Sequence, residues 1–327
     1  MRRYALKVKW PFSVRFVNHL RRVKIDLLTP KPVNRSIRIV LVGCFLSLLS
    51  LPLLAQNVES YGFYAGINVP VTIDQGLAND PRYISKFSIR GTPVGLYYAY
   101  DRPGLGFFVA PGYLTVGQTY IITNTTGGHV GTRDINMDYL SVPVGLKFHL
   151  NSMAFFRFSL VAALDFCFLV NGQETITHTA SKLRYPEGVS VPTDPGYSVV
   201  YDGVFVPDVK NLVHVEKENF NAFQIFGGIG LRFDLDLNEK WSVMADGRAN
   251  FGLLEPRKQE YVDLLQNPSG APDFKGNPGA PDLYGSRRDV FLSGTLGVAR
   301  IITSKPKFKA RQSDPIPKMT YPKAKKK

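Results

Sequence analysis

Three histidines, His129, His178 and His214, fall with Ser181, Ser190, Asp194 and Glu216 in stretches that read as loops, and these are the residue types of hydrolases and acyltransferases. A working nucleophile needs a base within hydrogen-bond reach and a strained or electropositive seat. Neither the G-x-S-x-G turn nor the H-E-x-x-H ligand spacing accompanies these residues, and no phosphate-binding or dinucleotide fingerprint is present. The histidines therefore read as solvated loop residues, and the expectation is that the chain is not an enzyme and holds no cofactor. Asp263, Asp273 and Asp282 could meet a cation, but their spacing matches no calcium loop and predicts no metal site.

A second set of charges lies on alternate positions of long apolar segments. Lys147, Arg157, Asp165, Gln224, Arg232, Asp234, Asp246 and Arg248 all face away from the apolar side of their segments. Counting from the intervening turns puts Arg232 and Asp246 at similar heights on neighbouring segments, and the two are expected to pair. Such a set reads either as a polar path or as a plug of ion pairs that satisfies a closed interior, and the second reading is preferred.

The segments that must carry these residues are strands. Leu140, Val142, Val144, Leu146, Phe148 and Leu150 form one apolar face, while Ser141, Gly145, Lys147 and His149 occupy the other. The alternation recurs from Phe156 to Val170, and from Phe223 to Leu235, and continues from Trp241 to Phe251. Runs of this length exceed the roughly five or six residues of an ordinary strand and suit a strand of about 9–11 residues that crosses a bilayer and continues past it. Period-two reading places strands near 59–70, 88–101, 105–123, 134–150, 154–171, 218–236, 240–254 and 288–302. Arg102–Gly104, Asn151–Met153 and Leu237–Glu239 are short links and the remaining ones are long, the pattern of short periplasmic turns and long outer loops. The fold expected is all-β, an antiparallel up-and-down transmembrane β-barrel of eight strands in the outer membrane, apolar side chains outward. Pro93, Pro111 and Pro143 should mark strand ends or bulges.

Charge divides unevenly. The net charge of +14 comes from the ends: residues 1–55 hold 11 Lys/Arg and one Asp, and residues 304–327 hold nine and one. The remaining residues carry 20 basic and 24 acidic groups, so no basic face is left for nucleic acid. Residues 1–55 read as a secretory signal with a long basic start, ending in the apolar run Ile39–Leu54 with cleavage after Ala55. Residues 56–303 form the barrel, and 304–327, rich in Lys and Pro, form a disordered periplasmic tail able to reach cell wall or an acidic periplasmic partner. Outer-membrane lipid is the expected partner of the wall. Cys167, left alone once Cys44 departs with the signal, reads as a packing residue. The link Gln173–Lys217 holds Tyr197–Val206, which reads as a hairpin extending the wall.

The Ala55–Gln56 junction, the phrase Tyr139-Leu140-Ser141-Val142-Pro143-Val144-Gly145-Leu146-Lys147-Phe148 and the later segment Trp241–Gly252 resemble the PorT-like outer-membrane β-barrel family of Bacteroidota. The resemblance covers about residues 56–303 and implies a barrel. The family's name comes from a component tied to protein secretion and gliding, so a secretion-machine protein is an implied partner, and no functional residue is carried over. The role expected is structural or interactive, with an accessory part in an outer-membrane secretion or assembly machine as the alternative.

Overall fold

The computed structural model describes residues 58–152, 155–266 and 280–303. The expected signal, the basic tail and Asp273 lie outside these residues. The strands, in chain order, are β1 (Val58–Asp74), β2 (Tyr83–Lys86), β3 (Val94–Arg102), β4 (Leu105–Val109), β5 (Gly112–Val116), β6 (Thr119–Thr123), β7 (His129–Ser152) and β8 (Phe156–His178). They continue as β9 (Ser181–Leu183), β10 (Ser198–Val200), β11 (Gly203–Val206), β12 (Val209–Val215), β13 (Phe223–Asp236), β14 (Trp241–Gly252) and β15 (Arg287–Thr303). Two short helices, α1 (Gln75–Asn79) and α2 (Gln259–Leu265), interrupt the links.

Twelve strands join in one antiparallel sheet that closes on itself. Its circuit runs β1–β3–β4–β7–β8–β13–β14–β15 and back to β1, with β5 following β4 between β3 and β7. The strand count differs from the expected eight because links add pairs of their own: β6 and β2 extend one edge above the circuit and β12 pairs with the top of β8. The expected strand over 105–123 is three, β4, β5 and β6, broken at Ala110–Pro111 and at Gly117, whose φ of 116° turns the chain out of the strand. The expected strand over 88–101 starts only at Val94, just after Pro93. Tyr197–Val206 does form a hairpin, but it joins β9 in a separate three-stranded sheet and does not extend the wall.

Pro143 departs from the expectation that it would sit at a bulge or an end. It lies within β7, in register with Asp165, and its carbonyl accepts from Ala110 N at 3.0 Å. Its polar backbone side thus faces the β4–β5 boundary. The missing N–H falls where the neighbouring strand is itself interrupted, so few ladder bonds are lost.

Alternation along the circuit is as the residue pattern requires. Phe63, Leu96, Leu140, Leu164, Ile229 and Leu296 are exposed on the outside, whereas Tyr64, Tyr97, Tyr139, Asp165, Arg232 and Thr295 are buried inside. On β8 the phase changes. Between Asp138 and Tyr139 of β7 the partner jumps from Asn171 to Leu169, a bulge that turns Glu174, Ile176 and His178 inward. On the outer surface the apolar row gives way above it to Asp138 and Asn136 on β7 and Gln173 on β8. The upper parts of these two long strands therefore stand clear of the apolar belt.

The short links gather at the lower rim and the long ones at the upper. With the upper rim facing the medium, chymotrypsin added to intact cells should cut at the β10–β11 tip, where Tyr201 is fully exposed, and leave a heat-modifiable barrel behind. Resistance of Tyr201 in intact cells, with cleavage only after the outer membrane is opened, would reverse that orientation.

Candidate functional site

The lumen is filled from the lower rim upward by charged groups laid against rings. Lys147 on β7 reaches Asp101 on β3 at 2.6 Å and Tyr97 Oη at 3.1 Å. Gly106 makes the room: a Cβ there would stand 2.0 Å from Asp101 Oδ1. Arg232 lies over the Tyr97 ring at 4.1 Å. It shares register with Asp246, as the turn count requires, but its Nη1 stands 3.7 Å from that carboxylate while its Nε is 3.0 Å from Asp234 on its own strand. Asp246 is taken instead by Arg248 at 2.6 Å. Arg157 is only half buried and forms a two-pronged pair with Asp236, at 2.8 and 2.9 Å, at the lower rim. Asp165 accepts from Ser141 Oγ at 2.7 Å. Gln224 donates to the Glu255 carbonyl at 3.0 Å, nearer the upper rim. Cys167 is buried among the lumen's apolar side chains.

Asp101 also lies 3.5 Å from His149 Nε2, and His149 Nδ1 lies 2.7 Å from Ser159 Oγ. A serine, a histidine and a carboxylate in line are the parts of a nucleophilic triad. Here Ser159 has no exposed surface, and Lys147 already holds Asp101, so a substrate carbonyl has no approach. The three residues complete the lower ion-pair layer.

Above this layer Tyr139, Phe226 and Phe291 pack together in the lumen, their rings meeting edge to face at 6.3 and 5.2 Å. On top of the rings sits a second charge network that the residue pattern did not single out. Arg133 of β7 donates to Glu174 of β8 at 3.0 Å and to both oxygens of Asp282 at 2.7 and 2.8 Å. Arg287 at the start of β15 donates to Asp74 at 2.6 Å and also to Glu174. Arg257 lies 3.5 Å from Asp74 and 2.8 Å from Glu255, and Glu255 in turn accepts from the Arg287 backbone N–H at 2.7 Å. These groups come from four wall strands, β1, β7, β8 and β15, and from the link between β14 and β15. α2 lays Tyr261 and Leu265 against them, and α1 is capped by the same Asp74, which accepts from Leu77 N at 3.0 Å.

The histidines expected in loops are in strands or at their ends. His129 opens β7, with its ring 2.8 Å from the Gly131 carbonyl, and His178 closes β8. His214 lies in β12, 2.9 Å from Asp282. Among the described residues none of the three lies within hydrogen-bond reach of a serine, and Ser190 instead donates to the Ala280 carbonyl at 3.1 Å. Asp263 bonds Gln259 on α2 and Asp282 belongs to the arginine network, so these two do not meet around a cation. Among the described residues no cluster suited to a metal is present.

Residues 54–255 match the model of the outer membrane protein beta-barrel domain. The chain belongs to that family. It is an outer-membrane protein, and the belt of outward aliphatic and aromatic side chains is its lipid-facing wall. The solved structures it resembles include the outer membrane protein OprG from Pseudomonas aeruginosa, at 9% identity and a TM-score of 0.35, covering 76% of this chain and 97% of that one. Ail, the attachment invasion locus protein of Yersinia pestis, is similar at 10% identity and a TM-score of 0.29, over 76% of this chain and 99% of Ail. The outer membrane protease OmpT from Escherichia coli is similar at 9% identity and a TM-score of 0.33, over 77% and 99% of the two chains. Scores this low carry no role or residue across. No curated protein sequence matches the chain.

Two outcomes follow from the upper network. Arg133→Met leaves Glu174 and Asp282 buried without their shared partner, and should cost about 3–5 kcal/mol in urea unfolding of the refolded protein in micelles, against under about 1 kcal/mol for exposed Lys210→Met. A cost for Arg133→Met as small as that of Lys210→Met would mean the network contributes little. Burial pushes the Asp282 carboxyl up, but Arg133 and His214 outweigh it and hold the group well below its ordinary value of 3.8. A depressed carboxylate contributes stability that is fully present above the ordinary value and fades as the pH falls through the folded one. Pepsin should therefore spare the Pro281–Ser286 segment near pH 4 and cut it only on further acidification. Full cleavage already near pH 4 would contradict the pairing.

Proposed function

We propose that the protein is a non-enzymatic outer-membrane barrel with a closed lumen, whose role is to hold a rigid platform of upper-rim loops for interaction with a partner. The observation that carries this reading is the double closure of the lumen. One ion-pair layer around Lys147, Arg232 and Asp246 and another around Arg133 and Arg287 are separated by the rings of Tyr139, Phe226 and Phe291. An interior of about eight strands is just wide enough for side chains to fill it, and here they do. A pore would need a continuous wet path, and an enzyme would need an accessible nucleophile. The charged layers and the burial of Ser159 argue against both.

The platform is held by buried groups. The end of β1 at Asp74 and the β14–β15 link, through Glu255 and Asp282, are tied to arginines on the wall, so the segments above them are presented in one arrangement instead of many. Preorganisation of this kind lowers the ordering cost of binding. The tail at 304–327 is proposed as a contact to cell wall or an acidic periplasmic partner.

Reconstitution of the full chain in a planar lipid bilayer tests the closed lumen. The expected record is flat, with no steady conductance steps at low voltage. Stable steps from the heat-modifiable, folded protein would replace this reading with that of a channel.

A further inference from the structure

Beneath the β9–β11 sheet, at the upper rim, a recess of about 160 Å³ lies between the ends of β6 and β8, β12 and the link that follows β9. Its floor is the apolar cluster of Ile122, Ile176 and Leu183. Its polar lining includes Arg82, Tyr83, His178, Tyr185, Ser190, Tyr197 and His214. Among the described residues no carboxylate lines it. Pro192 and Leu212, also in the wall, are exposed, so the recess reaches the surface.

Arg82 is the informative group. Its side chain is 5% exposed, and Nε and Nη2 are engaged by Asp80 at 3.0 and 2.7 Å. Asp80 does not engage Nη1, and the guanidinium also hydrogen-bonds the Tyr185 hydroxyl. The guanidinium plane is fixed by rings, with Tyr185 at 4.2 Å and Tyr83 at 5.1 Å from its carbon. A buried, positioned N–H on a cationic group, in a recess with donors and no acid, is a seat for a negatively charged oxygen. Burial also pushes the Tyr185 hydroxyl up to about 12, so at neutral pH it remains a donor. An engineered cavity of roughly 150 Å³ accepts benzene, which sets the size of the ligand body.

We propose that this recess binds a small organic carboxylate carried on a flat ring, its carboxylate on Arg82 and its ring against Tyr185 and Tyr197 over the apolar floor. Asp80 keeps the guanidinium oriented and leaves one edge for the ligand. The proposal concerns a site above the lumen and stands whether or not the barrel conducts.

Sodium benzoate is the probe, titrated into the folded full chain in detergent micelles and followed by calorimetry, with neutral benzamide as the control of equal shape. Benzoate should saturate, and benzamide should bind about tenfold more weakly or worse, since a hydrogen bond to a charged group is lost. Tyr185→Ala, with heat-modifiable migration intact, should weaken benzoate about fivefold by removing one ring contact. Arg82→Lys should abolish the preference for benzoate over benzamide. Equal binding of the two probes, no benzoate binding up to millimolar concentration, or a Tyr185→Ala variant that binds as the parent does, would each overturn the assignment; should Arg82→Lys fail to fold, the benzamide comparison and Tyr185→Ala still decide it.

Discussion

Hydrocarbon offers no partner to a backbone N–H or C=O, so a sheet that crosses it must close, and the rest of this molecule is arranged around that closure. The seam is not at one place. β15 meets β1 along the whole of both strands, and β7 meets β8 from Gly131 to Ser152, so no lipid-exposed edge is left in the circuit. Prolines, which cannot donate to a ladder, are tolerated where the loss is shared. Pro111 falls in the gap between β4 and β5, and Pro143 faces that same gap from the next strand. Each proline still accepts through its carbonyl, Pro111 from Leu96 N at 2.8 Å and Pro143 from Ala110 N at 3.0 Å, so only the donor half of each residue is lost to the ladder.

Closure with few strands creates a second obligation. The period-two rule sends every other side chain into a lumen too narrow for bulk water, and polar ones must then be satisfied by each other. The answer here is to pair arginine or lysine with aspartate and to lay the cation on a ring, as Arg232 does on Tyr97 and Arg248 on Phe108. A pair of this kind is not a stability gain compared with a hydrophobic core of equal volume. Its value lies in specificity. A strand slipped by one residue would turn these charges into lipid, where an unpaired charge is far more costly than a lost contact, so the same pairs that satisfy the lumen also fix the register.

The wall was legible in the residues because its signal is local and repeated. Leu140 to Leu150 announces an outward face without reference to any other strand, and the lengths of the links order the rims. Eight residues are expected in the lumen, and the structure buries six of them, leaving Arg157 and Arg248 partly exposed. The partners were harder. Arg232 and Asp246 were matched by counting from the turn, yet Asp234, two residues along the same face, is nearer, a competition that register alone does not resolve. The upper network was hidden for a different reason. The bulge near Leu169–Asn171 reverses the alternation of β8, so Glu174 and His178 appear, by extrapolation of the lower phase, to belong to a loop. Arg133 sits one residue before the expected start of its strand, and Asp282 and Arg287 are separated from it by more than a hundred residues. A contact closed over that distance leaves no mark in a short window of sequence. The one available signal was the presence of Arg133, Glu174 and Asp282 in stretches that otherwise hold few buried-type charges, and it is faint.

The reversal on β8 also changes what the upper half of the wall does. Below the bulge, side chains answer to lipid on one face and to the lumen on the other. Above it, β7 and β8 continue with polar outer residues such as Asp134, Asp138 and Gln173, and the inner face turns from filling a tube to holding loops. Arg133 and Arg287 reach across the mouth, where they meet Asp74 at the end of β1, Glu174 of β8 and Asp282 from the link before β15. Neutralising buried arginines with acids from two strands and one link ties that link to the wall. If that link left, Arg133 would keep Glu174 but lose Asp282, so its release strands part of a buried charge.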